Sequence, residues 1–311
     1  MTVRLSRRAA LAGAVAAAAA PAHAASNTLR IGVQKYGTLI ILRERHTLEA
    51  ALPPGWGVTW HEFPGGPQLL EALAAGAIDF GTTGEAPPIF SQAAGASLLY
   101  VGSEPPSPAG EAILVPQDSP IQTLADLKGK RVALNKGSNV HYLLVQALAK
   151  AGLRPADILP TYLAPADARA AFERGSVAAW AIWDPFLAVA QAATNARTLA
   201  DATGLAPNRQ FFLATRSFAQ KQPDVLAKLT AEIGATDHWI AAHQAEATDL
   251  LAAGLKLPAP VVGQAIGRMG YGVRPMTPEV TADQQKIADA FHTLGLIPQA
   301  IDVSSAVWSP S

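Results

Sequence analysis

Short apolar runs alternate with amphipathic stretches over most of the chain, and the two periods can be told apart by eye. "LRIGV" (29–33), "GVTWHEF" (57–63), "AIDFGTT" (77–83) and "SLLYVG" (97–102) read as strands. Between them lie helical patterns at about 38–52, in "QLLEALAAG", and in "APPIFSQAAGA". A second series follows, with "EAILVP", "RVALN", "PTYLA" and "AAWAIWD" as strands spaced by helical segments. "RQFFLATRSF" (209–218) reads as a returning strand, and the remainder is helical, with long stretches over 223–243 and 281–294.

Strand–helix alternation of this kind predicts an α/β fold. The Pro/Gly-rich "SEPPSPAG" (103–110) is the best boundary, and a second crossing is expected near 209–216. Two crossings imply a middle lobe inserted between two halves of the first, with a cleft and a double hinge. The division expected is 25–103 for the first part of lobe I, 104–213 for lobe II, and 214–311 for a mainly helical second part of lobe I.

Composition changes the picture at the N-terminus. Arg4, Arg7 and Arg8 precede the apolar run Ala9 to Ala20, and Ala22-His23-Ala24 has the A-x-A form of a cleavage site. Residues 1–24 therefore read as an export signal, with Ser6-Arg7-Arg8 also resembling a twin-arginine signal. The full chain has 24 basic and 24 acidic residues. Removing 1–24 takes three arginines and no acids, leaving a formal charge of −3. A nucleic-acid or anionic-membrane binder would need a basic surplus. Without cysteine there is no disulfide, thiol chemistry or lipid-anchored N-terminal Cys.

The candidate chemistry sits where strands give way to helices. In "RVALNKGSNVHYLL" (131–144), Lys136, Gly137, Ser138 and Asn139 lie between a strand and a helix whose apolar stripe runs Val140, Leu143, Leu144, Ala147, Leu148, Ala151. This is the grammar of an anion site at a helix N-terminus, and equally of a well-capped helix start. The spacing of a nucleotide loop is missing. Similar switches occur at Gln34 to Thr38, at Thr82-Thr83-Gly84-Glu85, and at Trp183-Asp184-Pro185. Ligands of open α/β sheets sit beyond the carboxyl ends of the strands, so four switches, two per lobe, can face one cleft. Glu85 and Asp184 are awkward in an anion site, and capping or hinge bonding suits them better than ligand contact. Lys136 reads as solvent-facing and His141 as a satisfied, partly buried histidine. Trp180, Trp183, Phe211 and Phe212 suit either an apolar sub-pocket or plain core. No G-x-S-x-G or H-E-x-x-H motif occurs, and His238 and His243, five apart, lie on different helix faces.

Five blocks of the chain together resemble the aliphatic sulfonate-binding proteins, periplasmic components of sulfonate ABC importers. They are "FPGGPQLLEALAAGAIDFG", "TGEAPPIFSQAAGA", "LKGKRVALNKGSNVHYLLVQALAKAGL", "PADARAAFERGSVAAWAIWDPF" and "YGVRPMTPEVTADQQKIADAFHTLGLIP". The likeness runs from about Leu29 to Trp308. Ala178, Glu85 and Asn139 stand where many or some relatives carry Asp, Asp and Ser. The resemblance implies a two-lobe, type II periplasmic binding fold that closes on an organosulfonate and delivers it to an ABC permease, as a monomer with no cofactor. A sulfonate is always ionised and has only acceptors, so its head-group pocket should hold donors alone. Carried over by position, the expected contacts are Gln34, Thr83 and Gly84 from one lobe, and Gly137, Ser138 and Asn139 from the other, with Glu85 and Asp184 kept as candidates on the minority reading of those two acids. Trp183 and Phe211 are expected to face the organic tail. Taurine, nitrate or another small anion is the rival ligand, and an exported hydrolase the rival class.

Overall fold

A computed structural model describes residues 27–309; the expected signal segment, 1–24, lies outside the described residues. The chain begins with β1 (Asn27–Val33), α1 (Thr38–Arg45), α2 (Thr47–Ala51), β2 (Trp56–Glu62), α3 (Gly66–Ala74), β3 (Phe80–Gly84), α4 (Ala86–Ala93) and β4 (Leu98–Ser103). The helix expected over 38–52 is two helices, because His46 takes a left-handed conformation (φ 55°) that ends the first. After a first crossing come β5 (Glu111–Val115), β6 (Arg131–Leu134), α5 (Asn139–Lys150), β7 (Leu159–Tyr162), α6 (Pro165–Glu173), β8 (Ala179–Trp183), α7 (Phe186–Thr194) and β9 (Arg197–Asp201). The chain then recrosses into β10 (Gln210–Thr215), α8 (Arg216–Lys221), α9 (Pro223–Ala242), α10 (Gln244–Leu255), α11 (Ala259–Gly267) and α12 (Pro278–Thr293).

The strands form two five-stranded sheets of the same design, β2-β1-β3-β10-β4 and β7-β6-β8-β5-β9. Four strands in each run in one direction, and the strand in the fourth position, β10 or β5, runs antiparallel to both its neighbours. That fourth strand is the one entered directly from a crossing, so each lobe is closed by chain arriving from the other. The return consequently comes earlier than residue 214. Gln210 already pairs with Gly84 in the first sheet, and the second crossing is 202–209. Two local differences have plain causes. Residues 216–218 leave the expected strand because Thr215 accepts the Phe218 amide and caps α8. β9, polar and at a sheet edge, has no alternating apolar signal to announce it.

Buried aliphatic residues of α3, α4 and α5 pack against both sheets, with Tyr100, Phe211 and Phe291 at the centre. The crossings are tied to each other. The Ser107 hydroxyl donates to the Asn208 carbonyl (2.9 Å), and the Asn208 amide nitrogen donates to the Ser107 carbonyl (2.9 Å). The Thr38 hydroxyl lies 2.9 Å from Glu104 and 2.5 Å from Asp237. One hydroxyl hydrogen cannot serve two carboxylates, so one of these buried acids is protonated and donates to Thr38 in turn.

Candidate functional site

The carboxyl ends of β1, β3, β6 and β8 converge on a narrow cavity between the lobes. Gln34, Gly84, Ser138, Asn139 and Trp183 line it, five of the residues expected to do so. Tyr36, Gly66, Pro87, Asn208 and Gln210 complete the wall. No lining residue is charged. The polar side-chain groups are amides, hydroxyls and the Trp183 indole N–H, and the Tyr36 hydroxyl is buried beside Ser107.

The lobes meet at Asn139, the first residue of α5. Its Oδ1 accepts the amide of Ala86 at the start of α4 (3.3 Å), and its Nδ2 donates to Oδ1 of Asn208 in the second crossing (2.8 Å). One side chain thus spans lobe II, lobe I and the hinge. The approach is close: a Cβ built on Gly84 would overlap the side-chain amide of Asn139, so a larger residue there must displace that side chain from its place between the lobes. Beside it, Ser138 is an extended residue preceding α5, and its hydroxyl donates to the Asn135 carbonyl (2.7 Å), leaving oxygen lone pairs rather than a hydrogen for the cavity. The amides of Asn139 and Val140 find no carbonyl acceptor. They are the orphan donors of a 12-residue helix whose positive end faces the cavity.

The other expected residues lie elsewhere. Thr83 is buried and its hydroxyl donates to the Gly84 carbonyl (3.0 Å). Gly137 has φ +74°, but its amide donates to His141 Nδ1 (3.2 Å) and is not free for a ligand. His141 is a satisfied buried histidine, as its sequence context suggests. Burial and the nearby Lys136 push its pKa down to about 4, so it is neutral, and it stacks on Phe90 at 6.2 Å between centroids. Phe211 sits in the core, edge-on to Tyr100 at 5.3 Å, because its strand position points it away from the cleft.

Glu85 and Asp184 both serve closure instead of contact. Glu85 Oε2 accepts the Arg209 amide in the second crossing (3.0 Å), and burial raises its pKa to about 7. Asp184 accepts the Ala188 amide (3.0 Å) and pairs with Arg268 of the C-terminal segment (3.2 Å), an ion pair across the lobes. Burial still dominates, and the carboxyl is raised to about 6 despite that cation. Glu111, the first residue of β5, is buried with neither oxygen partnered, and burial and then Glu85 push it well up. Asn208 and Gln210 escaped the sequence reading because nothing marks a hinge asparagine in advance except its neighbouring proline. The "PGGP" turn that supplies Gly66 was visible, but as a turn only. Among the described residues, no cluster of His, Asp and Glu has a metal-binding arrangement, and no helix is long and apolar enough to cross a membrane.

Comparison with known proteins agrees with this geometry. The profile of the NMT1/THI5-like family matches residues 58–247. A protein of Escherichia coli (strain K12) named as an aliphatic sulfonates-binding protein is 45% identical over 305 residues, 97% of this chain and 96% of the relative. The crystal structure of the periplasmic aliphatic sulphonate binding protein SsuA from Escherichia coli superposes with a TM-score of 0.83 at 45% identity, covering 91% of this chain and 92% of the other. The alkanesulfonate-binding protein SsuA from Xanthomonas axonopodis pv. citri, bound to MOPS, gives a TM-score of 0.87 at 44% identity over 90% of this chain and 98% of the other. With its paired five-stranded lobes and interlobe cavity, the chain belongs to the NMT1/THI5-like family and, within it, to the aliphatic sulfonate-binding proteins.

Proposed function

We propose that the protein is an exported, periplasmic solute-binding component that captures alkanesulfonates and delivers them to the membrane permease of an ABC importer. The observation that carries this reading is the uncharged, hydrogen-bonding wall of the interlobe cavity. A sulfonate needs aimed donors and offers no proton. The free amides at the start of α5, the side-chain amides of Gln34, Gln210 and Asn208, and the Tyr36 hydroxyl can supply them. Holding an anion with helix-end amides instead of a salt bridge keeps it releasable on opening.

The wall also argues against the taurine rival. A taurine site needs an acceptor for the ammonium group, and no acid lines this cavity: Glu85 and Asp184 are turned into the hinge and the Arg268 pair. Binding and release, with no reacting group in the cavity, is the whole of the proposed activity.

A thermal-shift panel of butanesulfonate, taurine, nitrate and sulfate tests the reading. Ligand at about a hundred times Kd stabilises a protein by ~2.7 kcal/mol. Butanesulfonate is expected to raise Tm and taurine much less. A large shift with nitrate or sulfate and none with butanesulfonate would overturn the assignment.

A further inference from the structure

Two carboxyl groups from opposite lobes meet in the seam behind the cavity. Glu85 stands between β3 and α4 in lobe I, and Glu111 opens β5 in lobe II. Both are fully buried. The second crossing brings them together. The Arg209 amide holds Glu85 Oε2 (3.0 Å), and the preceding residue, Asn208, packs on Gly110, where a built Cβ would stand 3.3 Å from its Nδ2. Glu111 follows Gly110 directly. It shares a strand face with Ile113 and Val115, which pack in one core with Phe211 and α5 residues. Three of the four carboxyl oxygens, Glu85 Oε1 and both of Glu111, have no hydrogen-bond partner. Burying ionised carboxylates in this state is strongly unfavourable. With the lobes together the pair therefore holds a proton, and burial, reinforced by the Glu85 charge, pushes Glu111 well above the ordinary carboxylate range.

The surrounding groups do not replace that proton. The Arg209 guanidinium attracts the Glu85 charge, but its hydrogen bond goes to the Glu104 carbonyl (3.4 Å). Asp283 of α12 adds negative potential at Glu85. Tyr36, beside Gly110, and Tyr142 of α5 are neutral phenols, and His141 of α5 is neutral and taken by the Gly137 amide. Tyr100 of β4 accepts Gln284, which also donates to the Glu85 carbonyl. The remaining acids nearby face elsewhere: Glu104 bonds Thr38, Asp184 bonds Ala188 and Arg268, and Asp201 of β9 accepts the Thr203 amide.

We propose that closing of the lobes takes up a proton on the Glu85–Glu111 pair, so that ligand capture is proton-coupled and weakens as pH rises. Opening carries Glu85 with lobe I away from Glu111 in lobe II and admits water, which restores ordinary acidity to both. The proton then leaves to solvent, and closing takes one back. The inference rests on the sulfonate reading of the cavity, since bound ligand is what favours closing. A sulfonate has no proton to exchange, so the uptake belongs to the protein. Linkage fixes the sign: the closed state binds the extra proton, so a fall in pH favours closing and a rise favours release.

Calorimetric titration of the full mature protein with butanesulfonate at about pH 6, in succinate and in Bis-Tris buffer, tests this. The two buffers differ in heat of ionisation and neither is a sulfonate, so the difference in observed heat counts the protons exchanged. In the unmodified protein about one proton is expected to be taken up per ligand bound, and Kd is expected to rise about tenfold or more from pH 6 to pH 8. Glu111→Gln is expected to cut the uptake by about half or more and the rise in Kd to about threefold or less. Glu111→Leu, which leaves no polar atom to satisfy, provides an independent variant with the same expected outcome. Butanesulfonate binding without proton uptake by the unmodified protein would overturn the proposal alone. So would undiminished uptake in either folded variant, which would place the proton on the Asp184–Arg268 pair or another group. Failure of butanesulfonate to bind would overturn it together with the functional reading beneath it.

Discussion

The helices α4 and α5 begin opposite one another across the cleft, one in each lobe, and the two starts are built for different tasks. In α5 the second residue is Val140, and the first two amides have no carbonyl partner. In α4 the first amide, that of Ala86, is taken by Asn139, and the next two positions are Pro87 and Pro88, which have no N–H to give. Proline at these positions fits the helix without loss, because the missing donors are ones the helix would leave unpaired. The result is one helix end that offers donors and one that offers shape. Helix N-termini facing a cleft are therefore not interchangeable anion sites, and the first two or three residues decide what each can do.

The largest expected consequence concerns the contact that brings the two ends together. Gly84→Ala places a methyl group on top of the Asn139 side chain and should prevent closure. Affinity for butanesulfonate is expected to fall at least a hundredfold, or ~2.7 kcal/mol, while the melting temperature without ligand changes little. Retained affinity would mean that the lobes bind without meeting at Asn139. Next comes Asn139→Asp. The new carboxylate can still accept from Ala86, but it loses the donor to Asn208 and puts a negative charge beside the cavity. A loss of roughly 10–100-fold is expected, the range of a broken charged or buried hydrogen bond, read by the same titration.

A smaller effect concerns the hinge acids that the asymmetry leaves out of the cavity. The Glu85 carboxyl is raised to about 7 and Asp184 to about 6, in each case mainly by burial. A native state that binds these protons more tightly than the unfolded chain loses stability as pH rises. The penalty is absent below the ordinary carboxylate pKa, grows through about pH 4–7, and is complete above the folded values. Melting temperature should therefore fall between pH 5 and pH 8, and Glu85→Gln should flatten that fall. An unchanged slope would place the titration elsewhere. The smallest effect is expected for Pro88→Ala, which restores an amide to α4. If α4 contributes shape alone, butanesulfonate affinity stays within threefold, and a gain of tenfold or more would show that α4 can hold the anion after all.

Much of this site was legible in the sequence because it lies where strand periodicity gives way to helix periodicity. Gly84 and Trp183 end strands, Gln34, Ser138 and Asn139 come after them, and the cavity collects all five. Backbone bookkeeping across space was not legible. That the Gly137 amide is spent on His141, or that Asn208 ties Asn139 to Ser107, depends on which donors meet which acceptors after folding. Phe211 illustrates a different difficulty. An aromatic strand residue carries the same local pattern whether it faces cleft or core, and only the pairing of β10 between β3 and β4 turns it toward Tyr100. That pairing also explains the second crossing, since the returning strand closes the first sheet before any helical pattern begins.

A crystal structure of the protein with butanesulfonate would test the central asymmetry most directly. The sulfonate oxygens are expected within hydrogen-bond distance, about 2.7–3.2 Å, of the Asn139 and Val140 amides, with no bond to any α4 amide. A sulfonate seated on the α4 side, or held by the side chains of Lys136 or Arg209, would contradict it.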